Sequence, residues 1–291
     1  MTARAPGAAT CATQLDAAAR TLREASILGA AREAATLLAH VTGLAPLELA
    51  LDRSSPIDAT AAERFQSLVA RRASRVPLQH LVGRLGFHEI ELDVGPEALI
   101  PRPETELLVE AVLDWARSHQ HRSPRVLDLG TGTAAIAAAI AAALPESKVV
   151  AVDSSQAALA LAARNVRKLG LLDRVSLVAG HWLDPLAAAA RFDVLVANPP
   201  YLRSDEIGAC EPEVRDHDPR AALDGGLDGL DAYRAICAAL GSLATRPSLV
   251  AFEVAALRPD PVVALLLDAG FPRARVSMDL DRHPRLVLAE G

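Results

Sequence analysis

The first quarter of the chain has the apolar spacing of short amphipathic helices. Small and apolar residues from Leu15 to Leu22 recur at i, i+3, i+4 and i+7, which places them on one helix face. Similar segments run over 30–40 and 65–72, and each ends before a glycine or a proline. The pattern predicts a helical bundle over 12–76, which we interpret as a substrate-recognition domain, after a disordered lead over 1–11.

The pattern changes after residue 77. Apolar residues alternate with Glu91 and Asp93, which predicts a half-buried strand in a β-hairpin linker over 77–99. From 100 to 291, short continuous apolar runs alternate with segments of helical spacing. This order predicts an α/β domain with a doubly wound, mostly parallel, Rossmann-like sheet, in which ligands bind at the carboxyl ends of the strands. The predicted strands cover 126–129, 149–152, 175–178, 192–197, 249–252, the region of 276, and 286–288.

Composition and charge narrow the class of protein. The net charge is −6, whereas a protein that binds nucleic acid directly usually has a basic face. The three cysteines are far apart, no spacing typical of metal ligands is present, and no apolar stretch reaches 18 residues. The N-terminus lacks the apolar segment of a secretory signal. We therefore expect a cytoplasmic, monomeric protein with no metal, no membrane span and no direct nucleic-acid contact.

A glycine-rich turn follows the first strand of the predicted sheet. Gly130-Thr131-Gly132-Thr133 comes directly after Asp128 and Leu129, and a helix begins near its end. Glycines allow a tight turn and a close approach to a ligand, while the free N–H groups of the helix point to the same place. This turn alone leaves NAD and S-adenosylmethionine equally open.

Two further residues fit a nucleotide cofactor. Asp153 ends the second strand, where a carboxylate can accept hydrogen bonds from a ribose diol; it could instead cap the helix that begins at Ser154 and Ser155. Trp182 follows the third strand and is either a face for an adenine ring or an ordinary core residue. Both positions are at the predicted ligand edge of the sheet.

The most informative segment follows the fourth strand. There Asn198-Pro199-Pro200-Tyr201 forms a stiff turn, because each proline fixes its own φ and restricts the residue before it. The Asn198 side-chain oxygen and the Pro199 carbonyl are then rigid acceptors for the two hydrogens of an NH₂ group. Tyr201 offers a flat face to a planar group.

This arrangement suits methyl transfer to an amide or amine nitrogen. An amide lone pair is delocalised and is a poor nucleophile, so holding both N–H bonds helps to aim it at a sulfonium methyl. The proton can leave after transfer, so positioning supplies most of the effect and no metal is needed. The alternative interpretation is a purely structural Pro-Pro turn. The position of the segment beside a glycine-rich loop argues against this alternative.

With these motifs the chain resembles the HemK/PrmC family, the peptide chain release factor glutamine methyltransferases, which have the class I methyltransferase fold. Asn198 to Tyr201 are shared with nucleic-acid amino-methyltransferases, whereas Ile100-Pro101-Arg102-Pro103-Glu104-Thr105-Glu106 is more specific. Asp128 to Thr133, Asp224 to Gly226 and Asp228 to Leu230 also match.

The resemblance implies S-adenosylmethionine as cofactor and class I release factors as protein substrates, methylated on the glutamine of Gly-Gly-Gln. It implies catalytic roles for Asn198, Pro199 and Tyr201, with Pro200 joining them in binding the glutamine. The implied cofactor contacts are Gly130, Thr131, Gly132, Thr133, Ala134, Asp153, Trp182 and Asn198.

The sequence departs from the family at Ala134, where glycine is usual. A site that needs positive φ makes alanine costly, whereas a site that needs only close helix packing tolerates it. We expect the second case. The run after Glu253 and the stretch from Asp281 to Arg285 also lack the family's usual glycines.

Three alternatives remain open at this point. A methyltransferase acting on a ribosomal-protein glutamine would share the Asn198 to Tyr201 site, but the form of Arg102 to Thr105 favours release factors. A nucleic-acid amino-methyltransferase would need a basic target-recognition region. A non-catalytic release-factor binder would fail to bind the cofactor, and Ala134 is the residue that keeps this alternative open.

Overall fold

The computed structural model describes residues 10–51, 54–255 and 258–291, and of these the side chains of Pro46, Leu47 and Ala50 are left aside. The chain divides into two compact units, Met1–Gly83 and Arg84–Gly291. The division lies inside the stretch 77–99 that the sequence assigned to a linker. Most of the predicted lead, 1–9, lies outside the described residues, and the first helix begins at Cys11.

The first unit is helical, as its apolar spacing predicts. Its helices are α1 (Cys11–Glu24), α2 (Ala30–Thr42), α3 (Pro46–Leu51), α4 (Ala59–Ala73) and α5 (Leu78–Val82). A reciprocal cap starts α1: the Thr10 N–H donates to Thr13 Oγ1 over 3.0 Å, and the Thr13 N–H donates to Thr10 Oγ1 over 3.3 Å. The helices enclose Leu22, Leu37 and Phe65, each at most 1% exposed.

The second unit begins with a hairpin and continues as an α/β domain. Its strands are β1 (Arg84–Phe87), β2 (Ile90–Asp93), β3 (Arg125–Leu129), β4 (Lys148–Asp153), β5 (Val175–Ala179), β6 (Val194–Ala197), β7 (Leu249–Glu253), β8 (Arg273–Met278) and β9 (Pro284–Glu290). Its helices are α6 (Glu106–Ser118), α7 (Ala135–Ala143), α8 (Gln156–Lys168), α9 (Pro212–Arg215), α10 (Asp231–Ala239) and α11 (Pro259–Asp268). Strands β1 and β2 pair only with each other among the described strands.

Within the described residues the main sheet has the order β5-β4-β3-β6-β7-β9-β8. Neighbours from β5 to β7 are parallel, and β9 is antiparallel to both β7 and β8. Helices α6, α7 and α8 pack on one face of the sheet, and α10 and α11 pack on the other. The prediction of a doubly wound, mostly parallel sheet is confirmed.

The strand order fixes where a ligand can bind. After β3 the chain builds outward through β4 and β5, and it then returns to place β6 on the opposite side of β3. Such a switch point leaves a crevice at the carboxyl ends of the strands on either side. In this protein those ends are Leu129, Asp153 and Ala197, which lead into the segments predicted to bind ligands.

No helix in the parts of the chain that the structure describes combines the length and the apolar character needed to cross a membrane.

Candidate active site

The turn after β3 is held from below by the neighbouring strand. The N–H groups of Gly130 and Thr131 both donate to the Val152 carbonyl of β4, over 2.9 and 3.0 Å. The Thr131 hydroxyl donates to Asp128 Oδ2 over 2.5 Å, and burial raises the pKa of Asp128 to about 7. These bonds connect the turn to the sheet, and the side of the turn that faces away from the sheet can face a ligand.

Ala134 adopts the left-handed conformation that glycine favours. Its φ is 64° and its ψ is 27°, it directly precedes α7, and it is fully buried. The expectation that this position needs only close packing is therefore wrong, because it needs both close packing and positive φ. An L-residue in this region costs roughly 1–2 kcal/mol. The turn keeps its shape because the Ala134 N–H donates to the Thr131 carbonyl over 2.8 Å.

Asp153 ties the glycine-rich turn to the end of β4. Its Oδ2 accepts a hydrogen bond from the Gly132 N–H over 2.8 Å, and its Oδ1 accepts one from the Ser155 N–H over 2.8 Å. Helix α8 is capped by Ser155, whose hydroxyl accepts from the Ala158 N–H over 3.2 Å. The N-cap alternative for Asp153 is thus wrong, and each carboxylate oxygen keeps further acceptor capacity for a ligand.

A cavity of about 630 Å³ lies above these strand ends. Its size falls in the usual range for a small-molecule site, about 300–1,000 Å³. Of the predicted cofactor residues it is lined by Gly130, Thr131, Gly132, Thr133, Asp153, Trp182 and Asn198. Ala134 is not among its lining residues and lies beneath the turn instead.

Trp182 lies over the glycine-rich turn. A Cβ placed on Gly130 would lie 3.5 Å from the Trp182 ring, an ordinary contact distance, so the φ of 71° and not a lack of space favours glycine at position 130. Trp182 itself has a φ of 46° and is partly buried against the core beside α10. The ring therefore packs on the core and also borders the cavity. Its interpretation as a core residue is thus compatible with its interpretation as a face for an adenine ring.

The segment after β6 reaches the cavity through Asn198 and Pro200, while Pro199 and Tyr201 are not among the lining residues. The Asn198 Nδ2 donates to Thr105 Oγ1 over 3.2 Å. Among the described residues, no hydrogen bond occupies Asn198 Oδ1 or the Pro199 carbonyl oxygen. Both oxygens therefore remain candidates for holding an NH₂ group.

The aspartate-glycine loop packs directly on this turn. The Leu202 N–H donates to the Leu223 carbonyl over 3.0 Å, and the Gly225 N–H donates to the Leu202 carbonyl over 2.8 Å. A Cβ on Gly225 would lie 2.7 Å from the Pro200 carbonyl oxygen, so only glycine permits this approach. The matching Asp224-Gly225-Gly226 stretch therefore fixes the position of the Asn198 to Tyr201 segment.

A buried carboxyl group, Glu253, lies at the end of β7 behind this turn. It is 3% exposed, and burial raises its pKa to about 7, while a hydrogen bond from the Thr105 hydroxyl opposes that rise. The Tyr201 hydroxyl lies 3.5 Å from Glu253 Oε1, and burial raises the pKa of Tyr201 as well. Glu253 belongs to the site although it is not among its cavity-lining residues.

Arg102, in the stretch before α6, forms an ion pair with the loop that contains Asp218. Its guanidinium donates to Asp218 Oδ2 over 2.6 Å, and the Asp218 side chain is only 1% exposed. Burial raises the pKa of Asp218, and the nearby positive charge of Arg102 opposes the rise. The ion pair holds the segment that contributes Pro219 and Ala222 to the cavity wall.

The sequence did not identify Asp218 or Glu253 as site residues. Thr105 enters only through the matching stretch, of which the resemblance implies that Pro101 to Glu106 border the active site, and Glu253 is only the residue before a departure from the family. A polar residue at the end of a fully apolar strand was the available signal for Glu253, since the strand end is where ligands bind. Asp218 carried no such signal.

No group of three or more histidine, cysteine, aspartate or glutamate side chains within 10–51, 54–255 and 258–291 is arranged to hold a metal ion.

Comparisons with known proteins agree with this architecture. A family model described as the PrmC N-terminal domain matches residues 14–83, and one described as the methyltransferase small domain matches residues 91–210. The N-terminal domain of human METTL16, solved in complex with SAH, has a TM-score of 0.54 and 18% identity, covering 87% of this chain and 93% of that one. That likeness establishes the fold alone.

Two curated relatives extend over nearly the whole chain. The release factor glutamine methyltransferase of Gloeobacter violaceus is 44% identical over 254 residues, which are 87% of this chain and 87% of that protein. The one from Cereibacter sphaeroides is 40% identical over 278 residues, 96% of this chain and 97% of that protein. With this identity along both units, the chain belongs to the family of release factor glutamine methyltransferases.

Proposed function

We propose that this protein transfers a methyl group from S-adenosylmethionine to the side-chain amide nitrogen of the glutamine in the Gly-Gly-Gln motif of class I release factors. One observation supports this proposal most strongly. The free acceptors Asn198 Oδ1 and Pro199 O lie at the end of β6, next to the end of β3 that bears the glycine-rich turn. A nucleotide-type site and an NH₂ site therefore share one edge of the sheet.

The residues at the ends of β3 and β4 fit S-adenosylmethionine. Asp153 retains acceptor capacity for the ribose hydroxyls, Trp182 offers an apolar face for the adenine, and the turn from Gly130 to Thr133 presents backbone rather than side chains. The bound cofactor supplies a methyl group on a positively charged sulfur, which is a good leaving group. The cavity is large enough to admit the cofactor together with the end of a glutamine side chain.

The segment from Asn198 to Tyr201 would position the substrate. Asn198 Oδ1 and the Pro199 carbonyl accept the two hydrogens of the glutamine NH₂, and the stiff turn fixes the angle between them. This limits rotation about the amide and directs the nitrogen lone pair toward the methyl donor. Since the proton leaves after transfer, these residues act by orientation and a strong base is unnecessary.

Mass spectrometry of a release factor after incubation with the purified protein and cofactor tests the proposal. We expect one added methyl group on the peptide that contains Gly-Gly-Gln, and none when that glutamine is replaced by alanine. Equal methylation of both release factors would defeat the substrate assignment. A parallel reaction with ribosomal proteins separates this function from methylation of a ribosomal-protein glutamine.

Calorimetry with S-adenosylmethionine separates the enzyme from a non-catalytic binder, which would bind a release factor without binding the cofactor. The strain at Ala134 lies beneath the turn and not in the cavity wall, which supports an intact cofactor site.

We also propose a class of partner, a location and an oligomeric state for the enzyme. The acidic net charge supports recognition of a protein substrate without direct nucleic-acid contact. The release-factor substrate of the relatives supports a cytoplasmic enzyme. We also propose that the enzyme acts as a monomer, which light scattering during size-exclusion chromatography would test. The helical residues 12–76 are proposed as the part that recognises the release factor, since the identified catalytic side chains lie elsewhere.

A further inference from the structure

Glu253 lies at the centre of a buried network behind the substrate turn. The chain has two tyrosines, and both meet this residue: Tyr201 through its hydroxyl and Glu253 Oε1 at 3.5 Å, and Tyr233 through a bond to the Glu253 carbonyl oxygen at 2.6 Å. The Thr105 hydroxyl lies near the same carboxyl group and acts to lower its pKa. Within the described residues, Glu253 Oε2 is buried without a hydrogen-bond partner. Burying a carboxyl in this way costs stability, so a role beyond packing is expected.

The directions of these hydrogen bonds are constrained by chemistry. Above its pKa of about 7 the Glu253 carboxyl is ionised and only accepts, so Thr105 then uses its single hydroxyl proton toward Glu253. Thr105 Oγ1 can then only accept from Asn198, and only the Nδ2 side of that amide can donate. The 3.2 Å contact from Asn198 Nδ2 to Thr105 Oγ1 has this direction.

We propose that Glu253 and Thr105 are positioning residues that fix the orientation of the Asn198 amide, with its NH₂ group on Thr105 and its oxygen left for the substrate. The inference rests on the proposed methylation of a glutamine amide. A rotated Asn198 would turn its own NH₂ group toward the substrate NH₂, and two donors facing each other cannot hydrogen-bond. The network therefore selects the one orientation that holds the substrate.

The groups around Glu253 come from several elements. Glu104 precedes α6 and Arg285 lies on β9, and their charges act on the Glu253 carboxyl in opposite directions. Tyr201 and Tyr233 contribute hydroxyls from the loop after β6 and from α10. No basic side chain within the described residues forms an ion pair with Glu253. Its charge is thus left to act on the nearby hydroxyls of Thr105 and Tyr201.

The chain offers an unusually direct test, because its only two asparagines are Asn165 and Asn198. Labelling asparagine side chains with ¹⁵N gives one amide pair for each. Asn165 is the internal reference, since its Nδ2 donates to the carbonyls of Asp93 and Thr133 over 3.0 and 2.9 Å. In Thr105→Val we expect the Asn198 pair to shift and its hydrogen exchange to accelerate, while the Asn165 pair stays in place. An unchanged Asn198 pair would overturn the proposal.

Turnover provides the second measurement. Thr105→Val should lower kcat by about tenfold, as expected when one hydrogen bond to an essential group is lost, with little change in cofactor affinity. Thr105→Ser keeps the hydroxyl and should restore both turnover and the Asn198 resonances. Thr105→Val could shift the resonances of both asparagine side chains. In that case, the proposal is overturned if Thr105→Ser does not restore the resonances of both.

Tyr233→Phe is the matched control. It removes a hydroxyl that hydrogen-bonds the main chain of Glu253 and leaves the carboxyl and Thr105 in place. A fall in kcat as large as that of Thr105→Val would show that loosening near Glu253 explains the effect, and would reject the positioning role. Absence of methyl transfer by the wild-type protein would instead defeat the proposed function, whereas the asparagine spectra need no substrate and would still test the network.

Discussion

The Gly132 N–H donates to Asp153 Oδ2 over 2.8 Å, and this bond joins the glycine-rich turn to the end of the neighbouring strand. One carboxylate thereby shapes the turn and faces the cavity that the turn borders. The same group is available to a ribose diol, so one side chain contributes both to cofactor binding and to the shape of the turn.

Asp153→Ala should therefore weaken cofactor binding by about ten- to a hundredfold, the range expected for the loss of hydrogen bonds to a charged group. Calorimetric titration with S-adenosylmethionine measures the change. Asp173→Ala is a suitable control, because the Asp173 side chain is 76% exposed near the start of β5. Equal affinity for the Asp153 variant and the wild type would exclude Asp153 from the cofactor site.

Asn198→Ala should reduce turnover by about a hundredfold, because the substrate NH₂ loses one of its two fixed acceptors. Cofactor affinity should change little, since the turn from Gly130 to Thr133 and Asp153 remain intact. Steady-state kinetics with a release factor, combined with calorimetry, measures the two effects separately. Wild-type rates in this variant would remove Asn198 from the mechanism.

Tryptophan fluorescence should report cofactor binding. The chain has two tryptophans: Trp182 lines the cavity, whereas Trp115 is 6% exposed and stacks on His119. We expect Trp115→Phe to retain a cofactor-dependent change in emission and Trp182→Phe to lose it. The Trp182 variant should also bind the cofactor about three- to tenfold more weakly, as the value of an aromatic contact suggests. A full signal in Trp182→Phe would place the cofactor elsewhere.

Ala134→Gly should be tolerated unusually well for a buried alanine. Glycine relieves about 1–2 kcal/mol of left-handed strain, which offsets the lost methyl group and the more flexible unfolded chain. Ala138→Gly is the matched control, because Ala138 is equally buried but lies inside α7. Denaturant unfolding should find the Ala134 variant more stable than the Ala138 variant by about 1–2 kcal/mol. Equal stabilities would contradict the strain at position 134.

Stability should fall as the pH rises from about 5 to 7. Asp128 and Glu253 both have a folded-state pKa of about 7, above the ordinary values of 3.8 and 4.5, mainly because they are buried. Between those values and pH 7 the folded protein holds protons that the unfolded chain has lost, so raising the pH favours unfolding. Each such proton contributes a slope of about 1.4 kcal/mol per pH unit at most.

Glu253→Gln should flatten this dependence, because the amide has no proton to lose in the same range. Urea unfolding at pH 5, 6 and 7 measures the slope for both proteins, with Asp173→Asn as an exposed control. A variant that retained the full wild-type slope would show that Glu253 is not one of the titrating groups.

Much of the fold followed from local patterns. The apolar runs at β3 and β6 are buried throughout or nearly so, and such runs predict internal parallel strands directly. The sequence does not predict helix α5, because its five residues are too few to show a period and Pro77 before it indicates only the end of the preceding helix.

The site was predictable where its chemistry is contiguous in sequence. Asn198 to Tyr201 and the turn after β3 were identified because each motif is unbroken. The contacts of Thr105 with Asn198 and of Arg102 with Asp218 join distant segments, and only the packing of the domain brings them together. The conformation of Ala134 was also beyond a local pattern, since alanine gives no signal for positive φ.

The position of β9 has a consequence for how the domain forms. This late segment inserts between β7 and β8, so both of those strands expose unpaired backbone until Pro284–Glu290 has been synthesised. Exposed strand edges invite pairing with other chains. Truncation before residue 284 should therefore produce aggregation rather than a smaller stable enzyme, even though every residue that lines the cavity is still present.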